Sequence, residues 1–539
     1  MNIAFRLSEV AKLNPDKIAL VHQDKSLSFR DLDTRSHQFA NQLQSFGFQK
    51  GDRTLFFMKP SLDFAPMVFA LFRIGIIPVF IDPGMGRKNL LKCIKEANAV
   101  GLIAEKELHY LKHFYPSVFK SIKLSVTTGK LTFGNMISIS KMKKEKILLA
   151  NTINHHPEDS AAILYTSGGT GTPKGVVYTH QIFVEQTNNL QKMFNLTSDD
   201  IDLPGFPLFS LFTITMGMTS CIPDMDPRKP AKCDPKKLIK NIEDHGPSFV
   251  AGSPAIWERV ADYCLTHQIQ LPSIKYVVMF GAPVSVKLHE KFYQILPNGT
   301  TYTPYGATEA LPISNIAGSF ILEKTAALTK SGHGTCIGLP VDGINVKIIY
   351  ATDFEIEHLS DADLMPSNEV GEIIVQGKVI TKEYLNLPEQ TALAKIYDDQ
   401  NLVWHRMGDV GFIDDQGLLW FCGRKSHCVH MKKEVLYPIQ CEAIFNQHHD
   451  VRRSALVGLG KAGEQVPAIV IERKDGQFLQ GKYRSIFESE LLALAKKHPH
   501  TEQIQKIYYS KSFPVDVRHN IKIDRLKLKA ELEALNNNE

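Results

Sequence analysis

Residues 161–165, AAILY, form an apolar run of strand length, and the segment after them, TSGGTGTPKG, is almost entirely glycine, hydroxyl residues and one cation. Gly168, Gly169 and Gly171 free the backbone N–H groups, Thr166, Ser167, Thr170 and Thr172 add O–H donors, and Lys174 adds a positive charge. Such a loop suits the polyphosphate of a nucleotide such as ATP, because backbone amides and a lysine can converge on one anion. Downstream, Thr179 can cap a helix whose apolar positions Phe183, Leu190 and Phe194 recur at helical spacing. The loop is therefore expected between a buried strand and a helix, which commits this part of the chain to α/β layering. It is not a Walker loop, since Pro173 precedes the lysine and Gly175 follows it. A plain flexible surface loop would have a similar composition; the order hydroxyls, glycines, Pro-Lys-Gly is far more restrictive.

Length and charge narrow the field further. A chain of 539 residues that is 43% hydrophobic can bury a large core and is expected to divide into two or more domains. With 62 basic and 57 acidic residues the formal net charge is only +5, which offers no electrostatic footprint for nucleic acid. The N-terminus, MNIAFRLSEVAKLNPDK, has no apolar secretory core, so a cytoplasmic location is expected. The most apolar window, residues 64–81, carries Arg73 at its centre and is broken by Pro66 and Pro78. It reads as an interior helix followed by a strand, not as a membrane span. The eight cysteines are too scattered for a disulfide framework, and the spacing of Cys422, His427, Cys428 and His430 matches no zinc site.

Strand and helix patterns alternate from residue 18, where a strand, a turn at 23–25 and a second strand lead to a helix capped by Ser28, to about residue 300. Near residue 400 short strands and tight turns take over: 403–405, 411–413, the turn DDQG at 414–417, then 418–421. GRKSHCV comes next, and then a smaller, more basic α+β stretch. The expected fold is α/β, a large N-terminal multilayer domain over residues 1–422 and a smaller mobile α+β domain over 423–539.

Three further elements carry chemistry. A strand at 276–280 ends in Gly281, Ala282 and Pro283, with Ser285 capping the next helix; a plain strand-to-helix turn would use the same residues. TPYGATEA at 303–310 puts an aromatic, a glycine, a hydroxyl and a carboxylate side by side. Tyr305 can stack on a purine beside Gly306 and Ala307, Thr308 can donate to a phosphate, and Glu309 can hold Mg²⁺. In HRMGDVGFID, Asp409 is expected in a Gly-Asp turn between strands, where a carboxylate can accept both hydroxyls of a ribose; Gly-Asp is also a common hairpin pair.

Taken in order, YTSGGTGTPKGV, the strand-end GAP, PYGATEA, HRMGDVGFID, GRK and RHNIKIDRLK resemble the signatures of adenylate-forming enzymes, which include acyl-CoA synthetases, adenylation domains and luciferases. The resemblance covers essentially the whole chain. It implies that the 281–283 turn walls an adenine pocket, that Asp409 and Arg424 bind ribose, and that Lys522 of the small domain reaches the carboxylate and the α-phosphate during adenylation. ATP and Mg²⁺ are the implied cofactors, with Lys174, Thr308, Glu309 and Lys522 as the catalytic set.

Within that group, FPLFSLF, GMTSCIPDMDP, WFCGRKSHCV and FPVDVRHNIKI resemble the ATP-dependent β-lactone synthetases of bacterial long-chain olefin biosynthesis. These activate a 2-alkyl-3-hydroxy fatty acid, whose own hydroxyl then displaces AMP, and the resemblance implies assembly with the neighbouring enzymes of that pathway. The chain also departs from the thioester-forming pattern GRxxDxIKxxGxxIxP: His427 replaces the hinge aspartate, His430 the lysine and Lys433 the glycine that gives a pantetheine arm room. Acyl-CoA ligation, loading of a carrier thiol and a nonenzymatic nucleotide-binding regulator are the alternatives. Phe206, Phe209, Phe212, Met216, Met218, Trp257 and Met279 are expected to line an acyl pocket, although ordinary core would use the same types. Glu309 and His519 are candidates for the base that takes the hydroxyl proton.

Overall fold

The computed structural model describes every residue except 1, 131, 133, 145–148, 167–172, 516–522 and 537–539. Its larger part stacks two seven-stranded sheets. In the first, strands Met136–Ser138, Leu124–Thr127, Gly101–Ala104, Arg53–Phe57, Ile77–Ile81 and Ser160–Thr166 run parallel, and Lys174–Thr179 closes the edge antiparallel. In the second, Thr300–Tyr302, Tyr276–Met279, Phe249–Gly252, Ile201–Pro204, Thr219–Cys221 and Ile18–His22 are parallel, and Lys25–Ser28 returns antiparallel. Parallel strands are buried on both faces, which is why they read as nearly continuous apolar runs.

Helices Ile3–Leu13, Phe29–Ser45, Phe64–Arg73 and His180–Phe194 share one core with residues of both sheets, among them Leu20, Phe56, Val176 and Phe249. Phe64–Arg73 is apolar all round because every one of its residues is buried. Arg73 survives there by being saturated: it donates to Ser36 and Thr152 at 2.8 Å and Ser8 at 3.0 Å, and it is paired with Asp33. A buried guanidinium needs that full set of partners to offset its lost hydration. Among the described residues no helix is long and apolar enough to cross a membrane.

An antiparallel sheet adds Tyr305–Ala307, Ala310–Asn315, Thr335–Pro340, Leu419–Arg424, Val403–Ile413, Gly371–Gln376 and Asn345–Ile349, with Lys395–Tyr397 paired to Val403–Ile413. The C-terminal part builds its own core on a three-stranded sheet, Val451–Leu459, Val466–Arg473 and Lys506–Ser510, flanked by helices Pro438–Phe445, Gly481–Ala495 and Arg525–Asn536.

Two local expectations need correction. The glycine-rich loop does not run from strand to helix: Lys174–Thr179 is a strand that pairs with Ser160–Thr166, and only then does Thr179 cap the helix, accepting from the Ile182 N–H at 3.3 Å. Nor does Asp409 sit in a turn, because Val403–Ile413 is one continuous strand of 11 residues. The Gly-Asp pair marks an irregularity inside it: Gly408 has φ +64°, and against Gly371–Gln376 the register shifts between Arg406 and Val410.

Candidate active site

The C-terminal ends of parallel strands open onto one cleft, the place where α/β sheets hold ligands. Ser160–Thr166 leads into the glycine-rich loop; Tyr276–Met279 leads to Phe280, Gly281, Ala282 and Pro283; Thr300–Tyr302 leads to Tyr305. Gly281 takes φ +88°, a conformation that lets the chain leave the strand sharply. Lys174, Gly281, Ala282, Pro283, Tyr305, Gly306, Ala307, Thr308, Glu309, Asp409 and Arg424, far apart in sequence, all line this cleft. Ser167, Gly168, Gly169, Thr170, Gly171 and Thr172 lie outside the described residues, as do Lys522, His519 and the side chain of Thr166.

One wall is a polar chain. Tyr305 donates its hydroxyl proton to Asp409 Oδ2 at 2.6 Å, and Arg424 Nη1 stands 3.1 Å from Asp409 Oδ1. Asp409 and Arg424 are cross-strand partners in the antiparallel pair, so the register of the sheet sets their distance. Asp409 raises the basicity of Arg424, and burial followed by Asp409 pushes the Tyr305 phenol upward. Asp409 thus joins a hydrogen bond from Tyr305 to an ion pair with Arg424.

A second polar group centres on Glu309 in the turn between Tyr305–Ala307 and Ala310–Asn315. Tyr384 donates to Glu309 Oε1 at 2.9 Å, while the Thr381 N–H and hydroxyl hold the Glu309 carbonyl at 2.9 and 3.1 Å. The Tyr178 hydroxyl donates to the Thr308 carbonyl at 2.6 Å. Lys174 Nζ lies 4.6 Å above the Tyr384 ring, its pKa lowered by burial and partly restored by Glu309. A cation and a carboxylate are thereby held around one phenol. A hard cation such as Mg²⁺ seeks oxygen ligands, and a Glu309 carboxylate fixed through one oxygen and lining the cleft fits that demand.

Sequence reading missed the residues that support this group. Lys395 is buried, donates to the Thr381 carbonyl, and lies 3.1 Å from His405 Nδ1. Burial pushes its ammonium down to about 7, with Lys174 adding to the effect and Glu309 opposing it. Tyr384, Thr381, Lys395 and His405 belong to no motif, and only packing brings them together.

Below the polar walls the cleft turns aromatic. Tyr178 and Phe183 have ring centroids 5.3 Å apart, Phe183 and Phe212 6.1 Å, Phe212 and Phe209 5.7 Å, and Phe209 stacks on Phe280 at 4.6 Å. Phe206, Phe209, Phe212 and Met279 line this compartment. Met216 and Met218 instead pack in the core between the sheets, and Trp257 in the core under the second sheet. They face away from the cleft because their elements bury the other side.

The smaller domain borders the same cleft with Val515, Ile523 and Arg525. Val515 and Ile523 form an isolated bridge at the base of the segment that contains Lys522, and Arg525 binds both oxygens of Glu442 at 2.7 Å. Burial, with Arg525 and then Arg424 adding to it, drives His427 down to about 3, which favours the neutral imidazole. Lys433 is exposed in a hairpin turn and is not among the residues that line the cleft.

Comparison with known proteins agrees with this geometry. The family model "AMP-binding enzyme" matches residues 7–385. The olefin beta-lactone synthetase of Stenotrophomonas maltophilia is 39% identical over 99% of this chain and 99% of its own, and that of Xanthomonas campestris pv. campestris 38% over 98% and 96%. The long-chain-fatty-acid–CoA ligase of Bacillus subtilis is 27% identical over 87% of this chain and 85% of its own. Among solved structures, the amide bond synthetase McbA of Marinactinospora thermotolerans superposes with a TM-score of 0.80 at 19% identity, covering 98% of this chain and 99% of its own. The polar walls, the aromatic compartment and these full-length likenesses converge: the chain belongs to the AMP-binding, adenylate-forming enzyme family.

Proposed function

We propose that this enzyme activates a long-chain 3-hydroxy fatty acid with ATP and closes it to a β-lactone. The observation that carries the reading is its 38–39% identity to olefin beta-lactone synthetases along the whole chain, against 27% to a fatty-acid–CoA ligase. The cleft has a polar end and an aromatic end, which supports a reaction between a nucleotide and an acyl chain.

The carboxylate oxygen of the substrate attacks the α-phosphorus of ATP; a P–O bond forms, pyrophosphate leaves, and the acyl carbon becomes an electrophile with AMP as leaving group. Negative charge grows on phosphate oxygens in that step, and cations and donors placed there lower its barrier. Lys174 and the amides of residues 167–172 supply them from the large domain, and Lys522 from the small domain, residues 423–539, which moves relative to residues 1–422. Glu309 would hold Mg²⁺, which when bound spreads phosphate charge. In the second step the 3-hydroxyl oxygen bonds to the acyl carbon as the bond from that carbon to the AMP oxygen breaks, and the hydroxyl proton passes to a base, for which Glu309 and His519 are the candidates. No second substrate is needed, so the replacement of the hinge aspartate and the pantetheine-site glycine by His427 and Lys433 fits the reaction. Reaction classes that supply the hydroxy acid and consume the strained lactone are the expected partners, acting in the cytoplasm.

Incubation with ATP, Mg²⁺ and a 3-hydroxy fatty acid, with and without coenzyme A, tests the proposal by mass spectrometry. AMP and a β-lactone should form without coenzyme A. AMP release strictly dependent on coenzyme A, with an acyl thioester as product, would overturn it.

A further inference from the structure

Gln186 is the one polar side chain of the helix His180–Phe194 that is both buried, at 2% exposure, and part of the lining of the aromatic compartment among the described residues. It lies one helical turn beyond Phe183, in the face that packs toward Tyr178 and Phe212. Its amide nitrogen donates to the Leu311 carbonyl at 3.0 Å, and the amide also faces the Tyr178 hydroxyl. The Leu311 carbonyl can only accept, so the nitrogen must be on that side and the oxygen on the other. That oxygen, Oε1, is fully buried and has no hydrogen-bond partner. The Tyr178 proton cannot serve it, being spent on the Thr308 carbonyl at 2.6 Å. A buried acceptor with nothing to accept is destabilising unless a ligand completes it.

We infer that Gln186 Oε1 accepts the hydrogen bond of the substrate's 3-hydroxyl and so selects hydroxylated acyl chains. This rests on the β-lactone reading of the substrate. An acceptor calls for a donor, and in the acyl half of a 3-hydroxyacyl adenylate the carbonyl and ester oxygens only accept. The hydroxyl is the sole donor, and an unsubstituted chain has none. Position agrees as well. Gln186 is tied to Leu311, two residues past Glu309, and through Tyr178 to Thr308, so it stands beside the segment that meets the reacting carboxylate, not at the far end of the alkyl channel. A hydroxyl held there is the one near the acyl carbon. Gln186 is a binding and positioning residue: it fixes the nucleophilic oxygen, and the proton leaves by another route.

ATP–pyrophosphate exchange isolates the first half-reaction, whose chemistry does not require the hydroxyl, and so reads recognition alone. With the full-length enzyme, kcat/KM for 3-hydroxytetradecanoate should exceed that for tetradecanoate by about 100-fold or more, as expected where a site built around a hydroxyl meets an analogue without one. In Gln186→Met, nearly isosteric and unable to accept in this way, the ratio should fall to within about threefold through loss on the hydroxy acid, with AMP affinity measured by calorimetry as the check on folding. An unchanged ratio in the variant overturns the inference. So does a wild-type enzyme that exchanges both acids equally, a result that needs no variant. If Gln186 governs the ratio but the product is an acyl thioester, the lactone assignment fails and the role of Gln186 stands; if a lactone forms with selectivity independent of Gln186, the lactone assignment stands and the role of Gln186 fails.

Discussion

Replacing Asp202 by asparagine probes a carboxyl buried next to the helix that carries Phe212. Asp202 is fully buried on the strand Ile201–Pro204; its Oδ2 accepts from the Thr213 hydroxyl at 2.7 Å and the Ser220 hydroxyl at 3.4 Å, while Oδ1 has no partner. Burial outweighs these hydrogen bonds and lifts the carboxyl from 3.8 to about 7. A carboxyl with a raised native pKa binds its proton more tightly folded than unfolded, so the native state is favoured at low pH and loses that advantage as pH climbs from about 4 through about 7. The loss amounts to about 4 kcal/mol by pH 8, at roughly 1.4 kcal/mol per pKa unit. Asparagine mimics the protonated form in shape and does not titrate. Between pH 5 and pH 8 Asp202→Asn should therefore gain about 3 kcal/mol on the wild type, on the order of 5 °C in the melting of the large domain. Thr213 lies in the helix Ser210–Thr215 that carries Phe212, so the wild type should also bind acyl substrate less well at pH 8 than the variant does. Scanning calorimetry between pH 5 and 8.5 checks the first effect. Parallel melting curves for the two proteins across that range would refute the reasoning.

Tyr384→Phe keeps the ring beneath Lys174 and deletes only the hydrogen bond to Glu309; a bond to a charged acceptor is worth about 1.5–3 kcal/mol, so pyrophosphate exchange should fall about 10- to 100-fold and require more Mg²⁺ for half-saturation. Glu442→Gln strands Arg525 in the small domain and should cost about 3 kcal/mol, seen as faster hydrogen exchange in the Arg525–Asn536 helix and the strand Val451–Leu459 that Glu442 holds through the Leu456 N–H. Lys522→Ala should abolish most adenylation while ATP binding by calorimetry persists; unchanged exchange would redirect attention to Lys527 or Lys529.

How far the residues alone reveal the fold depends on where each signal lives. Caps are local, and Ser28, Thr179 and Ser285 each accept from the N–H three residues on, as their side chains and the apolar spacing after them imply. The apolar window at 64–81 resolves into the helix Phe64–Arg73 and the strand Ile77–Ile81 because Pro78 and Gly75 interrupt helical continuity. The strand Lys174–Thr179 is hard to see in the sequence since its six residues, read next to a cap, look like the approach to a helix. Asp409 misleads for a related reason: Gly-Asp is a turn signal locally, and only pairing with Gly371–Gln376 on one side and Leu419–Arg424 on the other makes it the middle of a strand.

The residues expected to bind a nucleotide stand out in the sequence and those expected to bind an acyl chain do not, for one physical reason. Binding a polyanion requires glycines, hydroxyls and charges at strand ends, residue types that ordinary core does not use, so each stands out against its surroundings. An acyl chain asks for apolar side chains, which every core also contains, and a sequence cannot tell which face of a helix or strand looks into the cleft. That is why Phe206, Phe209, Phe212 and Met279 line it while Met216, Met218 and Trp257, equally apolar, are spent on packing. Selectivity among acyl chains must therefore come from exceptions to apolarity. A buried amide such as Gln186 is one, invisible in a helix of mixed composition until the packing reveals that its oxygen has been left without a donor.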